Sequence, residues 1–307
     1  MTAVTIDRLK PRRVPHLTLR QRFFVIAILL LLPAVALRVF TTVYPLIQTA
    51  QFSVQRINPA FPPPRYVGLG NFERLAGDPV VQASVSFTIL FVVASTLFQM
   101  ILGLAVAHLL NVPFRLRGIA RTVSLIPWAM PMIVAALGFR WMFDDQFGMI
   151  PDLLRRIFNF ETQWLIDPSN AKLAVILVSV WKSTPFVALI LLAGLQGISR
   201  DLYEAAKVDG ATAWQSFRHI TLPMLMPIIV TVSMFMLVWQ LAVFDLPYAM
   251  TGGGPGFSTT VLAQKIYLEI TTLNYGYAAS LSIVLVGIVA IIGLIGLFLF
   301  RRFEVHE

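Results

Sequence analysis

Apolar and polar positions alternate on a coarse scale. Long runs of Leu, Ile, Val, Phe and Ala are separated by polar connections, and the runs are apolar throughout, with no single-face stripe. Six runs reach the length of about twenty residues that a helix needs to cross a hydrocarbon layer. They lie at 23–43, 81–110, 119–143, 171–195, 222–244 and 277–300. Pro127 and Pro131 interrupt the third, where lost backbone donors predict a bend. Gly103 in the second permits close helix packing, and Arg38 near the outer end of the first can snorkel. Pro59, Pro62, Pro63, Pro64, Gly68 and Gly70 make 45–80 an external loop with limited regular structure. The other external connections are 144–170, with Trp141 and Trp164 at its margins, and 245–274, with a short helix predicted from Thr260 to Ile270.

One polar connection carries more pattern than a turn requires. In Ser199–Pro223, Ser199 is placed to cap a helix with Asp201 in its first turn. Leu202, Ala205 and Ala206 form its small apolar face, and Gly210 suits a helix stop because it tolerates positive φ. Thr212 and Gln215 have capping-box spacing for a second short helix through Arg218 and His219, followed by Pro223 near the start of the next run. An amphipathic loop resting on lipid headgroups satisfies the same spacing; so does a folded element that another protein grips.

Composition narrows the class. At 307 residues, 57% hydrophobic and 13% charged, with a mean hydropathy of +0.78, the chain reads as an all-α polytopic membrane protein. Its parts are a basic segment at 1–22, a six-helix domain at 23–300 that includes the loop at 199–223, and a tail at 301–307. The segment before the first run reads as the flank of an uncleaved membrane helix, since a cleaved signal would be shorter and end in small residues. The net charge of +9 does not point to nucleic acid, because the basic residues flank apolar runs. Of the 24 Lys and Arg, 14 fall in the segments placed inside, and these are collectively the shorter ones. Both termini and the Ser199–Pro223 loop are therefore expected to face the cytoplasm. There is no cysteine, and His16, His108, His219 and His306 show no zinc spacing. The glycines from Gly252 to Gly256 lack the Lys of a phosphate-binding loop and read as a turn.

Glu204-Ala205-Ala206, then Asp209-Gly210, then Ile220 with Leu222-Pro223, resembles the EAA signature of permease subunits of binding-protein-dependent ABC importers. Three further stretches resemble sugar permeases: Gly68-Leu69-Gly70-Asn71-Phe72, Trp181-Lys182-Ser183-Thr184-Pro185-Phe186, and the glycine turn after Thr251. The resemblance covers nearly the whole chain after residue 22 and implies the type I importer fold in a bacterial plasma membrane. It further implies a second homologous permease, two ATP-binding subunits carrying ATP and Mg, and an extracytoplasmic solute-binding protein. This chain would bind no cofactor itself and would have no catalytic site. Tyr203, Glu204, Ala205, Ala206, Asp209, Gly210 and Ala211 would form the docking helix and its turn, with Glu204 a docking or loop-bracing charge.

For a carbohydrate pathway, aromatic faces and directed hydrogen bonds favour Trp181, Lys182, Thr184, Trp239, Gln240, Phe244 and Asp245, with Tyr248 near the outer mouth. Trp and Tyr also mark membrane interfaces, and Lys182 can snorkel. An ion-coupled secondary transporter built on Lys182, or a nontransport scaffold or receptor, accounts for the spans but not for the combined loop motifs. An intramembrane enzyme lacks a suitable constellation.

Overall fold

A computed structural model describes residues 18–303. The rest of the basic N-terminal segment, and 304–307 of the tail, lie outside the described residues. The chain divides into two units, which meet between Thr49 and Ala50.

The first unit is helical from Leu19 and leads into Tyr44–Ser53. The first span is longer than expected: it reaches Ser53, so Arg38 lies inside it and not at its outer end. The reason is visible at Val39–Val43, a wider π-helical turn in which the Tyr44 N–H donates to the Val39 carbonyl five residues back. Pro45 follows immediately. It can neither donate a hydrogen bond nor fit a regular turn beneath its ring, and the wide turn lets the helix pass it unbroken.

The second unit holds the remaining spans. Span two is Pro79–Asn111 and span four is Pro168–Gly197, each opened by an aspartate followed by proline. Asp78 accepts hydrogen bonds from the Val80 and Val81 amides, and Asp167 from Ser169 and Asn170. These are the side-chain caps that orphan N–H groups require. The two spans pack along their length, and Gly103 is where they approach closely. A Cβ there would lie 2.7 Å from Val187 Cγ1 and 3.3 Å from the Ala188 nitrogen. Gly103→Ala is therefore expected to destabilise the protein by about 1–3 kcal/mol, whereas Gly287→Ala, mid-helix with a Cβ that would meet nothing within 4 Å, is expected to leave it as stable or up to about 1 kcal/mol more so. Thermal unfolding in detergent, followed by loss of monodisperse protein, compares the two.

Span three is broken, as its prolines predict. Arg117–Ala129 and Met132–Met142 meet at 87°. Span five is Ala213–Ala242, and span six begins at Tyr275. The last helix runs to Phe303, so Arg301 and Arg302 lie within it and do not stop it. Among the described residues, five helices are long and apolar enough to cross a membrane, and the bent pair makes a sixth span.

The connections are more ordered than composition suggests. Within 45–80, Gln55–Arg56 pairs antiparallel with Arg65–Tyr66, and a helix runs from Gly70 to Gly77. The buried Asn71 amide fixes this cap by donating to the Ser53 and Gln55 carbonyls. Proline and glycine fixed the turns here, but a long-range side-chain bond created the order. A helix at Met149–Phe158 lies in the connection 144–170. Asp245–Thr251 and Leu262–Thr271 form helices in the connection 245–274, the latter close to the predicted Thr260–Ile270.

Candidate functional site

The Ser199–Pro223 loop folds as its local signals require. Ser199 Oγ accepts from the Asp201 amide at 3.2 Å and opens a helix over Arg200–Val208. The helix closes in a Schellman motif: the Ala211 N–H reaches the Ala206 carbonyl at 2.9 Å and the Gly210 N–H reaches Lys207 at 3.2 Å. This closure puts Gly210 at φ +77°, in the left-handed region. Thr212 and Gln215 then form a reciprocal capping box, with Thr212 N–H to Gln215 Oε1 at 2.7 Å and Gln215 N–H to Thr212 Oγ1 at 3.3 Å.

The second helix differs from expectation by not stopping before Pro223. A π-helical turn at Phe217–Thr221 carries it past the proline into span five, with the Leu222 N–H donating to the Phe217 carbonyl. The 30-residue helix Ala213–Ala242 therefore joins the loop to the membrane interior. The first loop helix is tied to the same rod, since the Tyr203 hydroxyl and Thr221 Oγ1 lie 2.9 Å apart.

Among the described residues, the outer surface of the loop is left exposed, apart from Trp214 stacking on its neighbour Phe217. Val208 is 89% exposed and Trp214 67%, and Leu202 is exposed beside them. The Glu204 carboxylate is exposed and forms no ion pair among the described residues, so the brace within this chain is Tyr203. Between the two helices a cavity of about 330 Å³ is lined by Ala206, Asp209, Gly210, Ala211, Gln215 and His219, among others.

At the other end of span five a second cavity, of about 540 Å³, opens at the break in span three. It brings together Lys182, Trp239, Phe244 and Asp245 from the predicted pathway set. The other four candidates do not line it. Trp181 packs edge-on against Phe139 at 4.9 Å, and Tyr248 lies edge-on to Tyr267 at 5.6 Å. Thr184 Oγ1 donates to the Val180 carbonyl one turn back at 2.7 Å. Gln240, 1% exposed, donates from Nε2 to Ser179 Oγ at 2.7 Å, and Gln99 on span two reaches the Ser179 carbonyl at 3.1 Å. That buried trio joins spans two, four and five through the two Nε2 donors, while Gln99 Oε1 and Gln240 Oε1 have no partner among the described residues.

Lys182 is 6% exposed, and its Nζ donates to the Trp128 carbonyl at 3.0 Å and the Pro127 carbonyl at 3.4 Å. Chemistry explains the choice of partners. Pro131 has no N–H to offer the Pro127 carbonyl, and the short helix Ile126–Ala129 ends there, leaving a cluster of unpaired acceptors that suits an ammonium group. Sequence reasoning missed Trp128, Met132 and Ser183 as cavity residues. The signal for Trp128 was its place between the two prolines of the broken span.

A capped two-helix loop continuous with a membrane rod, and a polar-aromatic cavity at a broken span, define a membrane-embedded subunit of a transport system. Residues 99–305 match the family described as binding-protein-dependent transport system inner membrane component, and the chain belongs to that family. It is a multi-pass inner-membrane protein. Over 289 residues it is 38% identical to the sulfoquinovosyl glycerol transport system permease protein of Agrobacterium fabrum, covering 92% of each chain. It is 35% identical to the trehalose/maltose transport system permease protein of Thermococcus litoralis, covering 83% of this chain and 86% of that one. Its fold is similar to a chain of the crystal structure of a bacterial alginate ABC transporter in complex with alginate pentasaccharide-bound periplasmic protein. There the TM-score is 0.79 at 23% identity, with 94% of this chain and 97% of that one covered.

Proposed function

We propose that this chain imports a carbohydrate as one of two membrane subunits, driven by two ATP-binding subunits that dock on Ser199–Pro223 and supplied by an extracytoplasmic solute-binding protein. The observation that carries the reading is the continuous helix from Ala213 to Ala242. At 1.5 Å per residue it spans about 45 Å, with the exposed docking loop at one end and Trp239 of the cavity near the other. Motion of the loop is transmitted along it to the pathway wall. The relatives named for sulfoquinovosyl glycerol and trehalose/maltose support a sugar or sugar derivative as the solute.

In this reading both termini are cytoplasmic. ATP and Mg sit on the partner subunits, and this chain binds no cofactor and performs no catalysis. ATP binding closes the partners, draws the two loop helices together with Tyr203 and Thr221, and reorients span five against the broken span. A sugar ring then faces Trp239 and Phe244, while Lys182, Ser183 and Asp245 offer polar groups for its hydroxyls.

Purification of the tagged chain with its membrane partners, reconstitution, and ATPase assays with candidate binding proteins and a sugar panel provide the test. The expected result is co-purification of an ATPase and a second permease, with hydrolysis rising only in the presence of one loaded binding protein. A chain that purifies alone and moves solute without ATP would replace this reading with secondary transport.

A further inference from the structure

The second unit carries a basic pocket that the transport cycle described above does not use. Arg56 and Arg65 sit directly opposite each other in the two-stranded pair. Like charges facing across strands are destabilising. Neither guanidinium makes a hydrogen bond or ion pair from its side chain among the described residues. Arg74, from the helix Gly70–Gly77, lines the same cavity of about 700 Å³ and lies 4.4 Å from the centroid of the Tyr277 ring.

Among the described residues no Asp or Glu lines this cavity; its neutral polar residues are Asn58, Asn71, Asn274 and Tyr277. Asp78 meets the Tyr277 hydroxyl at 2.8 Å, but its charge is already committed to that hydroxyl and to the start of span two. Burial pushes its carboxyl pKa up, while the Tyr277 hydroxyl and the Val80 amide more than offset this and hold it below the ordinary aspartate value.

The backbone around the pocket is tied by side-chain hydrogen bonds and one close approach. Asn71 pins the backbone at Ser53 and Gln55, and a side chain at Gly276 would collide with the Gln55 carbonyl. Phe61 and Tyr66, both 79% exposed, stand on the same cap. Arginine and exposed aromatics around a preformed concavity are the composition of a protein-binding surface, and preformed shape lowers the ordering cost of association.

We propose that Arg56, Arg65 and Arg74 form a seat for acidic side chains of the extracytoplasmic solute-binding protein. The inference rests on the transport reading above and adds to it the place and charge of one docking contact.

The test uses the complete complex in phosphatidylcholine nanodiscs and the solute-binding protein that stimulates the wild-type complex. Arg65→Glu sets a carboxylate across from Arg56, so the hairpin gains a pair while the seat drops from three positive charges to a net one. Arg56→Gln/Arg65→Gln removes charge and repulsion together and serves as the second variant. Both are expected to weaken association at least tenfold and to flatten its dependence on salt, with basal ATPase activity unchanged. Wild-type affinity and salt dependence in both variants would overturn the proposal. So would a defect seen only in nanodiscs containing phosphatidylglycerol, which would make the pocket a lipid headgroup site. A wild-type complex that binds no solute-binding protein would overturn the transport reading itself, and the seat with it.

Discussion

Gly210→Val is expected to leave the spans folded and to abolish most of the sugar-stimulated ATPase activity and uptake of the assembled transporter. A Cβ at this position meets nothing within 4 Å, so the effect does not come from a clash with neighbours. It comes from the backbone: φ is +77° because Ala211 and Gly210 turn back to the Ala206 and Lys207 carbonyls. A β-branched residue held in this region costs about 1–3 kcal/mol. The chain escapes that cost by opening the turn, which separates the Arg200–Val208 helix from the capped start of Ala213–Ser216. The predicted docking residues from Tyr203 to Ala211 then no longer present one surface. Gly210→Asn is the control, because Asn accepts the left-handed conformation at a helix end. Complex yield, ATPase activity and uptake should stay near wild type for Asn and fall about tenfold or more for Val in the coupled assays. Fully coupled transport by the Val variant would remove the turn from the coupling mechanism.

Lys182→Met carries the other large effect. The substitution keeps the length of the side chain but removes the ammonium that holds the Trp128 and Pro127 carbonyls. An acceptor left unpaired costs about 1–3 kcal/mol when buried and less when part-exposed, as these two are, and both belong to the break where span three turns by 87°. The expected result is a lower thermal midpoint together with a loss of uptake of tenfold or more. Lys182→Arg retains donors near the same carbonyls and is expected to recover part of both. The paired readout separates two roles for Lys182. A residue that braces the break loses stability and transport together, solute present or absent. A residue that serves only as a solute ligand loses affinity for the sugar while the midpoint of the solute-free complex stays unchanged.

The spans were legible because continuous apolar runs of bilayer length have one stable solution in lipid, a helix that pairs its own backbone groups. The loop was legible for a related reason. Ser199 with Asp201, the Gly210 turn, and Thr212 with Gln215 are all bonds between residues only a few positions apart, so the sequence window contains both partners. The ends of spans one and five were misjudged at Pro45 and Pro223. Proline ordinarily stops a helix, and a single wide turn in each case lets the helix continue.

Side-chain roles were decided elsewhere. Gln240 has the composition of a sugar ligand, yet its amide meets Ser179, 61 positions away, in the packed interior. Trp128 reads as one more apolar residue until the break in span three sets it beside Trp239 in one cavity. Arg56 and Arg65 read as loop charges until strand register puts them face to face. By itself the sequence determined the membrane class, the number of spans and the capped loop, because those follow from hydrophobic length and hydrogen bonds between near neighbours. Only the tertiary structure decided which polar groups remain free to meet a solute or a partner, because that depends on which distant groups have already satisfied them.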